Sequence, residues 1–200
     1  VESAYRTQLA LGKIGIKQKK ETPTFEKAVE DFLKWREIVA SERSTYCRSV
    51  FACDTLKAFF KKTKVEKITK SEVEKFIAWR KCQTSKKTGE NVSNDTINRE
   101  VVILRNIFKR LIDDDFLTKN PTDAIKRLKA NDPTFHVITP KEEKIYLLAA
   151  QPILQDCFAL MLETGMRTGE VYRIKRSEVF LHKNYLQVTK GKTKSSVRRV

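Results

Sequence analysis

The sequence predicts a mainly helical protein in two parts: an N-terminal domain of four to five helices, then an α+β part with a small β-hairpin or sheet. Three observations predict it. Apolar residues recur at helical spacing from Phe25 to Leu128, and periodicity lapses over residues 129–138 around Asn131-Asp132-Pro133. Beyond that break, Tyr185 to Thr189 alternate as a strand does.

Residues 1–22 hold a short helical pattern (Tyr5, Leu9, Leu11) and a basic stretch (Lys17, Lys19, Lys20), which reads as an incoming linker. Thr22-Pro23-Thr24 opens a helix on Phe25, Val29, Phe32, Leu33 and Ile38. A second helix is expected from about Ser44 to Lys61, on Tyr46, Val50, Phe51, Leu56 and Phe59. Thr69 and Glu72 predict a capping box for the third, with Ile68 stapled to Val73. Residues 83–92 are polar and make a loop. Ser93 or Asn94 caps a long fourth helix with Ile97, Val101, Leu104, Phe108 and Leu111. Asn120-Pro121 stops the chain, and a short helix over Ile125 and Leu128 is expected next. The expected boundaries are therefore 23–129 for the helical domain, 130–138 for a linker and 139–200 for the second part.

The second part opens on a capping box, Thr139 to Glu142, with Pro140 at the first helical position. After Pro152 comes a helix apolar nearly all round (Ile153, Leu154, Phe158, Leu160, Met161, Leu162), a pattern that predicts burial. Gly165 ends it, Thr168 is expected to cap a short helix, and residues 190–195 form the turn between two strands.

Composition narrows the function. The 200 residues carry 41 Lys and Arg against 25 Asp and Glu, a net charge of +16. At 40% hydrophobic and 33% charged, the chain is too apolar for disorder and too polar for a membrane protein. Its longest apolar run, Cys157 to Leu162, is far short of the roughly 18 residues that a bilayer span needs. So large an excess of positive charge implies a polyanionic partner, nucleic acid first, an anionic membrane surface or acidic protein second. The excess divides into +11 up to Lys129 and +5 beyond it. Both parts are basic, as a two-part grip on a duplex requires.

Cys47, Cys53, Cys82 and Cys157 form no CxxC pair, so they read as reduced, mostly buried thiols, and no metal site is expected. No methionine precedes Met161, and residues 196–200 read as an interrupted strand, so a fragment trimmed at both ends is expected. No signal-peptide pattern opens the chain, which argues against secretion and points to the cytoplasm.

The sharpest local motif is Glu163-Thr164-Gly165-Met166-Arg167-Thr168-Gly169-Glu170-Val171-Tyr172. An arginine follows a glycine turn between two helices, and Glu170 lies three residues on, in reach of its guanidinium. The planar fork of arginine suits a phosphate. On spacing alone, an Arg–Glu pair that merely braces two helix ends explains the motif at least as well.

This stretch resembles the first arginine box of the tyrosine recombinases, the phage-integrase family, which runs approximately T-G-x-R-x-x-E. His136 to Glu143 resembles the opening of that family's catalytic domain. Ser93 to Arg99, Val102 to Phe108 and Asn120-Pro121 resemble the last long helix of its SAM-like core-binding domain. The likeness covers roughly residues 24–200. It implies that Arg167 stabilises the five-coordinate phosphate of the transition state, with Glu170 orienting it. It also implies a general-acid lysine in the hairpin turn, where Lys192 fits best and Lys190 and Lys194 are alternatives. The family's tyrosine nucleophile forms a 3′-phosphotyrosyl link that conserves bond energy, so no cofactor is expected. Double-stranded DNA would be the partner, gripped by a homo-tetramer on paired sites, with neither a membrane nor a small-molecule substrate involved. Neither His136 nor His182 begins a His-x-x-Arg box, and none of the five tyrosines has the nucleophile's context. This chain alone is therefore expected not to cleave DNA, and residues 1–22 would follow an arm-type binding domain.

Two helix starts are the expected DNA readers: Ser44, Thr45 and Arg48 on the second helix, and Asn94, Thr96, Asn98 and Arg99 on the fourth, with Arg105 continuing that stripe; Lys190 and Lys194 are further expected DNA contacts. Each is equally an ordinary cap or surface residue on spacing alone. Trp35 and Trp79 occupy core spacings. A non-catalytic DNA-binding protein that keeps the integrase fold is the second reading. A basic helical protein for anionic membranes or acidic partners is the third.

Overall fold

The structure is a computed structural model that describes residues 2–10, 21–40, 42–85, 89–130, 135–191 and 196–200. Contacts divide the chain into two units, Val1–Asp132 and Pro133–Val200.

The first unit is helical: α1 (Glu2–Ala10), α2 (Phe25–Val39), α3 (Arg43–Phe60), α4 (Lys70–Lys81) and α5 (Asn94–Asp113). The Thr24 hydroxyl accepts from the Lys27 N–H to start α2, and Ser93 caps α5 by accepting from Thr96 N–H. α5 is the central element, packed on α2, α3 and α4. Its apolar stripe (Ile97, Leu104, Ile107, Phe108) is fully buried against Phe25, Phe32, Leu56, Val73 and Phe76. Each such side chain contributes about 1.5–3 kcal/mol on leaving water, so this core holds the unit together. Trp35 and Trp79 pack against it from the edge.

Local chemistry departs from expectation at three places in this unit. The Thr69 side chain makes no capping bond to α4; Glu72 turns instead to Lys75 at 2.7 Å. Residues 121–124 form turns, and residues 125–130, where the short helix was expected, are not helical. There the Asn120 side-chain oxygen accepts from both the N–H and the hydroxyl of Thr122, and a side chain that satisfies the backbone in this way competes with a helix. Cys47 and Cys82 are exposed, whereas only Cys53 is buried, with its thiol pushed up to about 12 by desolvation.

The second unit has α6 (Pro140–Ala149), α7 (Pro152–Thr164), α8 (Thr168–Val171) and a three-stranded antiparallel sheet in the order β1 (Val179–Phe180), β2 (Tyr185–Val188), β3 (Arg198–Arg199). The Thr139–Glu142 capping box forms as the sequence predicts. Gly165 ends α7 at φ 63°, a left-handed conformation that glycine adopts without strain. α7 itself is not enclosed: Ile153 is 70% exposed and no residue of the helix is fully buried. Within this unit only Cys157, Leu160 and Met161 meet the small cluster of Met166, Val171 and Val188, so one face is covered and the others are not. β1 was not anticipated, because two residues are too few to show alternation.

Candidate nucleic-acid interface and phosphate site

In the second unit the site is built around one carboxylate. Arg167 is the residue that precedes α8, in extended conformation, with Thr168 as the first helical residue rather than the cap. Its backbone N–H donates to Glu170 Oε2 at 3.0 Å and its Nη1 donates to Oε1 at 3.3 Å. A glutamate three residues into a helix is placed to reach back in this way. The Glu170 side chain is 2% exposed, whereas that of Arg167 is 70% exposed. The backbone is thus tied down while the guanidinium faces outward.

The same carboxylate accepts from Arg198 on β3, from Nη2 at 3.0 Å and Nη1 at 3.4 Å. The Arg198 hydrogen bonds, then the Arg167 N–H, hold the Glu170 carboxyl down at about 2, well below its ordinary 4.5, against the opposing effect of desolvation. Glu170 therefore stays charged, and it joins the loop before α8 to the last strand. Sequence reading missed Arg198. Its signal was faint: an arginine on a short strand whose partner lies 28 residues away.

Lys190, two residues past β2, is exposed and shares a small pocket with Glu170, Glu178 and Arg173. Lys192 and Lys194 lie outside the described residues. Gly191 sits where a β-carbon would come within 2.0 Å of the Ser196 Cβ and 3.3 Å of Glu170 Oε1. The hairpin closes on the carboxylate only because this residue is glycine.

In the first unit, the two helix starts meet. α3 and α5 line one open groove that contains Thr45, Arg48, Thr96, Asn98, Arg99 and Arg105. Six arginines and Lys126 line it against one carboxylate, Glu100. Arg80 grips Glu100 with both ends of its guanidinium at 2.8–3.0 Å, which cancels that charge. The Nε of Arg36, also on the groove wall, is a buried donor without a partner. A row of guanidinium groups suits a phosphate backbone.

Individual residues divide between groove and scaffold. Arg48 and Arg99 are exposed on it. The Ser44 hydroxyl donates to Glu42 outside the groove lining. Asn98 corrects the sequence reading. Its amide is buried, donating to Leu128 O and accepting from Leu128 N–H, each at 2.9 Å, so it clasps the chain rather than facing a ligand. Asn94 likewise donates to Lys129 O at 2.7 Å, and Arg105 braces Thr122 through its carbonyl at 3.0 Å. Asn98 was misread because a polar residue near a helix start serves a neighbouring loop as readily as a ligand.

A helical unit with a basic groove, followed by an α+β unit with an anchored arginine, is the arrangement expected from the resemblance to the integrases. Residues 19–128 match the family described as the phage integrase SAM-like domain. The chain belongs to the phage integrase, or tyrosine recombinase, family. It is 28% identical over 158 residues to the ICEBs1 integrase of Bacillus subtilis (strain 168), covering 71% of this chain and 41% of that protein. It is 31% identical over 133 residues to the integrase of Escherichia phage P2, covering 66% of this chain and 36% of that one. The chain thus spans well under half the length of these relatives.

Solved structures share the fold at low identity. A lambda integrase tetramer bound to a Holliday junction superposes with a TM-score of 0.74 over 100% of this chain and 58% of that one, at 17% identity. The Tn1549 transposon integrase in complex with transposon right end DNA gives 0.68 over 88% of this chain and 60% of that one, at 18% identity. Among the described residues no helix is long and apolar enough to cross a membrane.

Proposed function

We propose that residues 23–129 form a core-type DNA-binding domain and residues 139–200 the first part of the catalytic domain of a site-specific DNA recombinase. The observation that carries this is Arg167: its backbone is anchored on a buried carboxylate while its guanidinium stays open to a ligand. An arginine so fixed offers two donors to the oxygens of a scissile phosphate without reorganising, which is how charge developing in a transition state is stabilised. Glu170 orients it. A hairpin lysine, Lys192 first and Lys190 or Lys194 otherwise, would protonate the leaving 5′-hydroxyl.

The arginine groove between α3 and α5 would hold the duplex, through Thr45, Arg48, Thr96 and Arg99. Strand cleavage would proceed through a 3′-phosphotyrosyl link, on paired sites held by a tetramer, in the cytoplasm where the DNA lies. The integrase names of the relatives and the DNA in the related structures support this reading. The attacking tyrosine is expected outside residues 1–200, so strand cleavage belongs to the whole protein.

Two measurements test it. The whole protein should become covalently trapped on a nicked suicide duplex, and Arg167→Ala should abolish trapping; normal trapping by that variant refutes the assigned role. For this chain, duplex affinity should fall steeply with salt, and Arg48→Ala or Arg99→Ala should each reduce the salt slope by about 1. A preference for heparin equal to that for duplex DNA at matched salt would instead favour a general polyanion binder.

A further inference from the structure

The groove between α3 and α5 carries two side chains that its charge does not explain. Phe51 is 73% exposed and Val102 is 49% exposed, and both line it. Neither takes part in the core beneath, which α3 reaches through Ala52, Cys53 and Leu56 and α5 through Val101 and Leu104. Each stands one helical turn beyond an exposed arginine of the same helix: Arg48 then Phe51, Arg99 then Val102. Residues three apart on a helix share a face. Both helices therefore present the same pair to the groove, a guanidinium followed by an apolar group.

A phenyl ring and an isopropyl group gain free energy when something apolar covers them. The surrounding charge says what that is. Once Arg80 and Glu100 cancel, five arginines and a lysine remain, a lining that fits a polyanion whose apolar contact lies within reach of its phosphates. Duplex DNA has one strongly apolar group on the floor of its major groove, the thymine 5-methyl. Phosphates flank it on both strands.

We propose that Phe51 and Val102 are specificity-determining residues that recognise thymine methyl groups, while Arg48 and Arg99 hold the flanking backbone. This rests on the DNA-binding reading of the groove above. It makes the first unit selective for A·T pairs in the major groove through contact rather than through hydrogen bonding. Phe51, the larger and more exposed, carries more of the discrimination.

The test compares two alternating A·T duplexes identical except that one contains uracil in place of thymine, which removes only the methyls. Fluorescence anisotropy at matched salt gives the affinity of this chain for each. The thymine duplex should bind more tightly, by about fourfold for each methyl buried. Phe51→Ser and Phe51→Ser/Val102→Ser should bring the ratio of the two affinities towards one, in variants whose thermal unfolding matches the parent. An equal affinity of the parent for both duplexes overturns the proposal, as does a ratio that survives the double substitution. Loss of self-association in the double variant with the ratio unchanged would assign the groove to a second copy and also overturn it. Failure to bind either duplex at low salt has a different meaning: it removes the DNA-binding reading itself.

Discussion

Arg198 donates to the buried carboxylate of Glu170 at 3.0 Å, from a strand 28 residues further along the chain. This contact closes the second unit and gives it a pH dependence of known sign. The folded unit holds Glu170 at about 2 against an ordinary 4.5. A carboxyl depressed by folding stabilises the native state above its unfolded value, and that contribution disappears as pH falls from about 4.5 to about 2. The methyl resonances of Val171 and Val188, which belong to the adjacent buried cluster, should report loss of structure over that window. Glu170→Gln should remove this step. An unchanged acid profile in that variant would assign the transition to other carboxylates.

Gly191→Ala tests how tightly the hairpin closes. A methyl there would approach the Ser196 Cβ to 2.0 Å, a distance that forces backbone movement, and would touch Glu170 Oε1 as well. Overpacking of this kind costs about 1–3 kcal/mol. The variant should lose the Val188–Arg198 strand pairing first, seen as faster amide hydrogen exchange in residues 196–200 than in α5. Exchange as slow as in the parent would mean that the turn has room to spare.

Asn98→Ala should behave as a scaffold mutation. It removes both hydrogen bonds to Leu128, one donated and one accepted, and leaves the Leu128 carbonyl and N–H without their partner. That loss costs about 1–3 kcal/mol. The expected result is a lower midpoint in urea, with the salt slope of DNA binding unchanged, since no charge is removed. A normal midpoint with altered base preference would restore Asn98 to the reader role that its position near a helix start first suggested.

What could be read from the sequence followed the range of the interaction. The helices of the first unit were legible because their apolar residues repeat within one turn and Thr24 and Ser93 marked two starts, as the Thr139–Glu142 pair did in the second unit. The Arg167–Glu170 pair was legible for the same reason, being three residues apart. The partners of Asn98 and Glu170 were not, because Leu128 and Arg198 lie about thirty residues away and no periodicity links them. Thr69 and Glu72 show the converse. They carry a capping pattern, yet Glu72 prefers the nearer ammonium of Lys75. The exposed faces of α7 were misjudged because hydrophobicity indicates that a surface wants cover, not that this stretch of chain supplies it.

The pair Arg80 and Glu100 was also invisible in the sequence, and it supports the strongest prediction for the first unit. Their side chains are 18% and 6% exposed, and three hydrogen bonds of 2.8–3.0 Å join α4 to α5. Removing one partner leaves a charge buried without compensation, whereas removing both leaves only an apolar space to fill. Arg80→Ala should therefore cost about 3 kcal/mol, read from urea unfolding by the fluorescence of Trp79 on the same helix. Arg80→Met combined with Glu100→Leu should recover most of that loss. The double replacement also removes one positive and one negative charge from the groove wall, so its net charge is unchanged and duplex affinity should stay close to the parent's. Arg80→Ala that unfolds like the parent would show that water already reaches the pair. A double variant that folds but no longer binds duplex would show that the Arg80 guanidinium itself faces the phosphate backbone.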